Sequence, residues 1–171
     1  LNSDFVFNNL GSKVDIFRDK WGIPHIKTKD EFDLFFAQGF ATAQDRLWHM
    51  DFDRHRALGK SSELLGYKTF EDDKLLMKMN VEKASRADYE CSSTSSKKML
   101  DSYTNGVNAF IESTTKFPVE YFLLKTKPGL WEPWHSISVY KVRNMLMGTY
   151  EMKLLKTQQL NLYLFITKLV T

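Results

Sequence analysis

The chain carries a single cysteine, no uninterrupted apolar run of membrane-spanning length and no block of like charge. Each shortage removes a class of protein. Cys91 has no partner for an internal disulfide and none for a cysteine-based metal cluster, so its plain reading is a structural thiol. The most apolar stretch, Leu160 to Val170, is broken by Asn161, Thr167 and Lys168 and falls short of the roughly 18 residues that mark a membrane span. LNSDFVFNNLG at the start has neither the basic region nor the apolar core of a signal peptide, so any leader would have to precede it. The 24 basic and 21 acidic side chains are interspersed, with a net charge of +3. Without a phosphate-binding tail, nucleic acid is not an expected partner.

What is present describes a chain able to bury a core. Hydrophobic residues make up 43 %, aromatics 14 % and charged residues 26 % of 171 positions, which suits one domain over 1–171. Most of the local signal lies between Val14 and Gly66. Val14, Ile16, Ile23 and Ile26 sit in short β-branched runs around Asp19-Lys20-Trp21-Gly22, which predicts a hairpin whose second strand starts near Pro24. Thr28-Lys29-Asp30-Glu31 has the T-x-x-E form of a capping box and predicts a helix start. Phe32, Phe35, Phe36, Phe40 and Ala43 then share one face, and Gly39 and Ala37 leave room for another backbone. The pattern runs on to Leu58, as one long helix or two abutting ones, with Gly59 placed to end it. Further helices are expected over 69–80, along the stripe Met99, Leu100, Tyr103, Val107, Phe110 and Ile111, and over 137–155. A loop-rich connection surrounds Tyr121 to Leu124.

Charges inside the first long helix invite two readings. Asp45 and Arg46, with Arg54 or Arg56, suit an internal ion-pair network, because buried charges persist only when paired. Asp51 and His55, four apart on one helix face, could instead form a carboxylate/His site. A metal site at His49 and Asp53 has no recognised ligand spacing behind it. Scaffolding is the stronger reading.

Three blocks in order, VDIFRDKWGIPHI, DLFFAQGFATAQDRLWHMD, and Arg54 with Gly59 and SSELLG, resemble the opening of the α chain in the penicillin acylase family of N-terminal-nucleophile hydrolases. SYTNGVNAFIE resembles a later helix of that family. The resemblance implies a mainly α fold with a small N-terminal β-hairpin, the α-chain portion of an αββα hydrolase. It implies amide hydrolysis by an N-terminal Ser, Thr or Cys on a β chain of the same precursor. No catalytic residue is expected in this chain, which lacks a nucleophile elbow or a Ser-His-Asp set. MLMGTYEMKLL is similar to the region that lines the family's acyl pocket, making Tyr150, Lys153 and Leu154 the substrate-binding candidates for a small N-acyl amide; alternatively, Tyr150 and Leu154 pack on one helix face. Some relatives bind calcium, but Gln158, Gln159 and Leu160 offer no carboxylate where it would be needed, so no cofactor is expected.

After Trp131-Glu132-Pro133-Trp134 the family places a capping Asp, and here His135, Ser136 or Ser138 stands near that position. A periplasmic or extracellular location follows from the resemblance. The chain stops on Leu164 to Thr171 without Gly, Pro or a polar tail, which looks like an interruption. Alone, it is expected to self-associate and to lack amidase activity; a non-catalytic helical interaction module is the alternative.

Overall fold

The computed structural model describes residues 6, 7, 10–148, 153 and 155–161. It is mainly helical, with one two-stranded antiparallel sheet near the N-terminus. Strand β1, Asp15–Arg18, pairs with β2, Pro24–Lys27, with Ile16 opposite Ile26 and Phe17 opposite His25. Asp19 closes the turn by accepting hydrogen bonds from the amides of Trp21 at 2.8 Å and Ile23 at 3.0 Å, while Gly22 takes φ +78°. Aspartate and glycine thus serve as their positions suggested.

Helix α1 spans Glu31–Ala57 and breaks at Arg46, where φ −138° and ψ 21° leave the helical region. Its start lies two residues beyond the T-x-x-E expectation. Asp30 is the N-cap, and its carboxylate accepts from the amides of Phe32 at 2.8 Å and Asp33 at 3.0 Å. The Thr28 hydroxyl bonds that of Ser12 and accepts from the Asp30 amide at 3.3 Å, short of the helix amides. The carboxylate of Asp30 reaches two free amides at once, which a threonine hydroxyl two residues earlier cannot. The other end follows expectation: Gly59 at φ +66° and Lys60 donate back to Arg56 and His55 in a Schellman turn.

Four helices follow: α2 Ser61–Leu65, α3 Phe70–Met79, α4 Val81–Cys91 and α5 Thr94–Ser113, with a 3₁₀ turn over Gly66–Thr69. Buried Asp73 on α3 caps α2, accepting from the amides of Ser61 at 2.8 Å and Ser62 at 2.6 Å. Buried Asp33 does the same for the chain entering β1, through Gly11, Ser12 and the Ser12 hydroxyl. In both cases a carboxylate on one helix satisfies orphan amides of another segment. Short α6, Val119–Leu123, interrupts the connection to α7, Pro133–Met147. Helix α7 starts four residues earlier than the pattern suggested. Glu132 is its N-cap, Pro133 fills N1, and His135 sits at N3 with Nδ1 accepting from the Glu132 amide at 2.8 Å. His135, Ser136 and Ser138 are therefore inside the helix, because proline at N1 loses no hydrogen bond and presets the backbone.

The core lies where α1 crosses α5. Val107 and Ile111 of α5 meet Ala43 and Leu47 of α1, joined by Tyr121 and Trp131. Two glycines set the separation. A Cβ on Gly106 would lie 1.9 Å from the Phe36 carbonyl oxygen, and one on Gly39 would lie 2.1 Å from that of Tyr103. On the far side, α4 packs on α7 through Ser85, which is fully buried, and Arg86 lies 4.0 Å from the Trp134 ring. Among the described residues no helix is long and apolar enough to cross a membrane.

Gly106→Ala should lower stability by about 3 kcal/mol, cutting the Tm by roughly 6–12 °C. Gly11→Ala, whose Cβ would meet nothing nearer than Asp33 Oδ2 at 3.8 Å, should leave it nearly unchanged. Thermal denaturation followed by circular dichroism reads both.

Candidate functional site

The inward stripe of α1 runs Phe36, Phe40, Ala43, Leu47 and then, in the same helical register, Asp51 and Arg54. Two charges therefore enter the interior where apolar residues would be expected. Asp51 is 3 % exposed and fully engaged. Its Oδ1 accepts from Arg54 Nη2 at 2.5 Å and its Oδ2 from the Tyr121 hydroxyl at 2.9 Å. His55 Nδ1 bonds the Asp51 carbonyl at 2.8 Å and lies 3.3 Å from Oδ1.

Arg54 carries the connection onward. It donates to the carbonyls of Leu130 at 2.7 Å and Gly129 at 3.3 Å, and its guanidinium stacks near the Trp131 ring. Asn108 of α5 holds the same tryptophan from the other side, accepting from its amide at 2.7 Å and donating to its carbonyl at 3.0 Å. The segment leading into α7 is thus pinned to both central helices.

Electrostatics follow the geometry. Burial pushes the Asp51 carboxyl up, but the His55 hydrogen bond, the Arg54 charge and Tyr121 together hold it below the ordinary value. The hydrogen bond to Asp51 raises His55. Burial and the neighbouring carboxylate push the Tyr121 hydroxyl well up. Burial, aided by the Arg54 charge, pushes His135 down to about 3, so its neutral ring accepts from the Glu132 amide. The structure brings Asp51 and His55 together, but in a closed network with no free carboxylate face. Its chemistry is bracing.

An open groove of about 610 Å³ lies between α1, α5 and α7. Its walls include Phe35, Met50, Leu100, Tyr103, Val139 and Tyr140. One rim carries Asp53, ion-paired to Arg143, with His49 Nε2 3.1 Å from Arg143 Nη2. The arginine fills the space beside His49 and Asp53 that a metal would need, and no group of three metal-ligating side chains occurs among the described residues.

Of the residues singled out in the sequence, Arg54 is buried in the network, whereas Asp45 and Arg46 are exposed. Asp45 pairs with Arg18 of β1 at 2.8 Å, and Arg46 stands at the helix break on the groove wall. The internal pair is built on Asp51 instead. Tyr150 and Leu154 lie outside the described residues; Lys153 is helical and exposed. Gln158, Gln159 and Leu160 are exposed helical positions without a carboxylate, a donor set that does not fit a hard cation. Of the two residues that complete the brace, Asn108 lies in the SYTNGVNAFIE run that resembles a family helix, whereas Tyr121 carried no sequence signal beyond an apolar segment.

Tyr121→Phe should cost about 1–2 kcal/mol by removing one donor to Asp51. Arg54→Met, which strands a buried carboxylate, should cost about 3–5 kcal/mol, and adding Asp51→Leu should recover much of that loss. Urea denaturation measures all three. The pH dependence has a defined sign. Asp33, Asp51 and Asp73 titrate below their ordinary value of 3.8, so their stabilisation is complete above it and is lost as pH falls through the folded values. His135 acts in a higher window: the unfolded chain takes up its proton near 6.5 and the folded chain near 3, so stability falls as pH drops between them. Replacing His135 with Gln should flatten the Tm profile between pH 6.5 and 4.

A family model described as penicillin amidase matches residues 13–164. The chain is 44 % identical over 154 residues to penicillin acylase 2 proenzyme of Pseudomonas sp. (strain SE83), covering 90 % of this chain and 20 % of that protein. It is 31 % identical over 134 residues to penicillin G acylase of Escherichia coli, covering 75 % and 16 %. An acyl-homoserine lactone acylase QuiP of Pseudomonas syringae pv. syringae (strain B728a) matches at 28 % over 149 residues, 86 % of this chain and 18 % of that one. Among solved structures, a thermostable penicillin G acylase from Alcaligenes faecalis superimposes with a TM-score of 0.76 at 21 % identity, over 88 % of this chain and 83 % of that chain. The chain spans about a fifth of the length of these curated relatives. On the family match and the identity to the proenzyme, the chain belongs to the penicillin amidase family.

Proposed function

We propose that this chain is the α-chain portion of an amidohydrolase acting on linear N-acyl amides, such as the acyl side chain of a β-lactam antibiotic. The observation that carries the reading is the 44 % identity to a penicillin acylase proenzyme across 90 % of this chain. In this reading a β chain from the same precursor supplies the nucleophile. Its N-terminal hydroxyl or thiol attacks the amide carbonyl, its α-amine takes the proton, and the amine product leaves. Water then releases the acyl group as a carboxylic acid. An α-amine suits the role because its pKa is about 7.7–8.0.

This chain's part is to build the wall around the acyl group, with Tyr150, Lys153 and Leu154 as the candidate lining. The buried Asp51–Arg54–Tyr121 brace supports that role by fixing the segment ahead of α7, which leads directly to those residues. Large exposed apolar side chains, among them Tyr67, Trp21, Phe122 and Leu123, fit a chain whose surface the rest of the precursor covers in part.

Expressed alone, the chain should self-associate on size-exclusion chromatography and hydrolyse neither phenylacetyl nor long-chain acyl amides. Expressed within its full coding region, it should yield a processed two-chain species that does. A clean monomer with amidase activity in the isolated chain would overturn the proposal.

A further inference from the structure

The first turn of α7 is closed by a histidine at a position where helices more often carry a glutamate or glutamine. His135 Nδ1 accepts from the Glu132 amide at 2.8 Å, and the His135 amide donates back to the Glu132 carbonyl at 2.9 Å. A glutamine would accept at any pH, whereas an imidazole accepts only while that nitrogen is bare. One proton turns the acceptor into a second donor facing the amide.

The surroundings give a charged ring no partner. His135 is 6 % exposed and packs against two indoles, with ring centroids 4.1 Å away at Trp134 and 5.4 Å away at Trp131. Each indole carries a guanidinium. Arg54 of α1 lies 5.2 Å from the Trp131 ring, and Arg86 of α4 lies 4.0 Å from the Trp134 ring. The carboxylates facing the ring are already engaged: Asp51 of α1 with Arg54 and Tyr121, and Glu132 with the Trp134 indole N–H and Arg86. Helix α5 reaches the cluster through uncharged Asn108, bonded to the Trp131 backbone. A protonated ring would be a third cation in a desolvated niche. Burial first, and then the Arg54 and Arg86 charges, hold it down at about 3 against the pull of Glu132 and Asp51.

We propose that His135 is an acid-released latch: a proton on Nδ1 expels the ring from the two tryptophans and frees the first turn of α7, with the approach over 129–132, while α1 and α5 stay packed. The packing of Val107 on Ala43 and Leu47 is made elsewhere, so it survives the opening. The latch belongs to this chain's own packing and holds with or without the α-chain reading. Its sign follows from linkage. The shut ring stays neutral down to about 3 and the freed ring takes its proton near 6.5, so the latch is tightest above 6.5 and loosens about tenfold per pH unit below it.

Native-state hydrogen exchange on the chain expressed within its full coding region tests this, read residue by residue at pH 6 and pH 4 and corrected for intrinsic rates. At pH 4 the Glu132 amide should be at least about tenfold less protected than that of Val107, and its exchange should be insensitive to dilute urea, as in a local opening. From pH 6 to pH 4 its opening constant should rise roughly fifty- to a hundredfold. In His135→Gln, which keeps an acceptor for the Glu132 amide, that rise should vanish. Protection and urea dependence shared by Glu132 and Val107 at both pH values would mean opening only by global unfolding, and overturns the proposal. An opening constant indifferent to pH also overturns it, as does a pH dependence that persists in His135→Gln and so belongs to Asp51 or Glu132. The wild-type comparison decides the matter by itself if the variant does not fold.

Discussion

The reciprocal contact of Gly39 and Gly106 with the backbone of the opposite helix is the constraint on which the rest depends. With each Cβ position filled by a partner carbonyl, α1 and α5 approach more closely than side chains would allow. That separation brings Val107 and Ile111 onto Ala43 and Leu47 without a gap. It also puts Asn108 within reach of Trp131, so the path from α5 to α7 is set by the same approach.

Buried charge then fixes what apolar packing cannot. Asp51 and Arg54 lose hydration on burial, and such a pair survives only when its remaining donors and acceptors are satisfied. Tyr121, His55 and the carbonyls of Gly129 and Leu130 satisfy them. Directional bonds give the loop before α7 one position rather than several equivalent apolar contacts. In a family whose chemistry is proposed to reside on another chain, this is the contribution an α chain can make from its interior. The exposed Asp45–Arg18 pair works at the surface, tying the hairpin to α1 ahead of the break at Arg46.

Legibility varied with the kind of force involved. Hairpin and long helices were readable because β-branched runs, a turn aspartate and 3.6-residue stripes are local patterns. Helix α4 was not, since its inward face is built on Ser85, a small polar residue admitted by the close approach of α7. The caps were misplaced by two to six residues because carboxylates compete: Asp30 outreached Thr28, and Glu132 with Pro133 pre-empted the serines beyond. The buried pair could have been found by extending the stripe from Leu47 to Asp51 and Arg54. Asp45 lies two positions from Ala43, about 200° around the helix, and so faces out.

The sequence by itself determined the family, the helical class, the hairpin and the need for small residues at Gly39, since each is written in motif order or local periodicity. Tertiary structure alone decided which charges turn inward and that Tyr121 and Asn108 brace the approach to α7. Those outcomes depend on partners 23 to 76 residues away along the chain, and no local pattern encodes the distance between them.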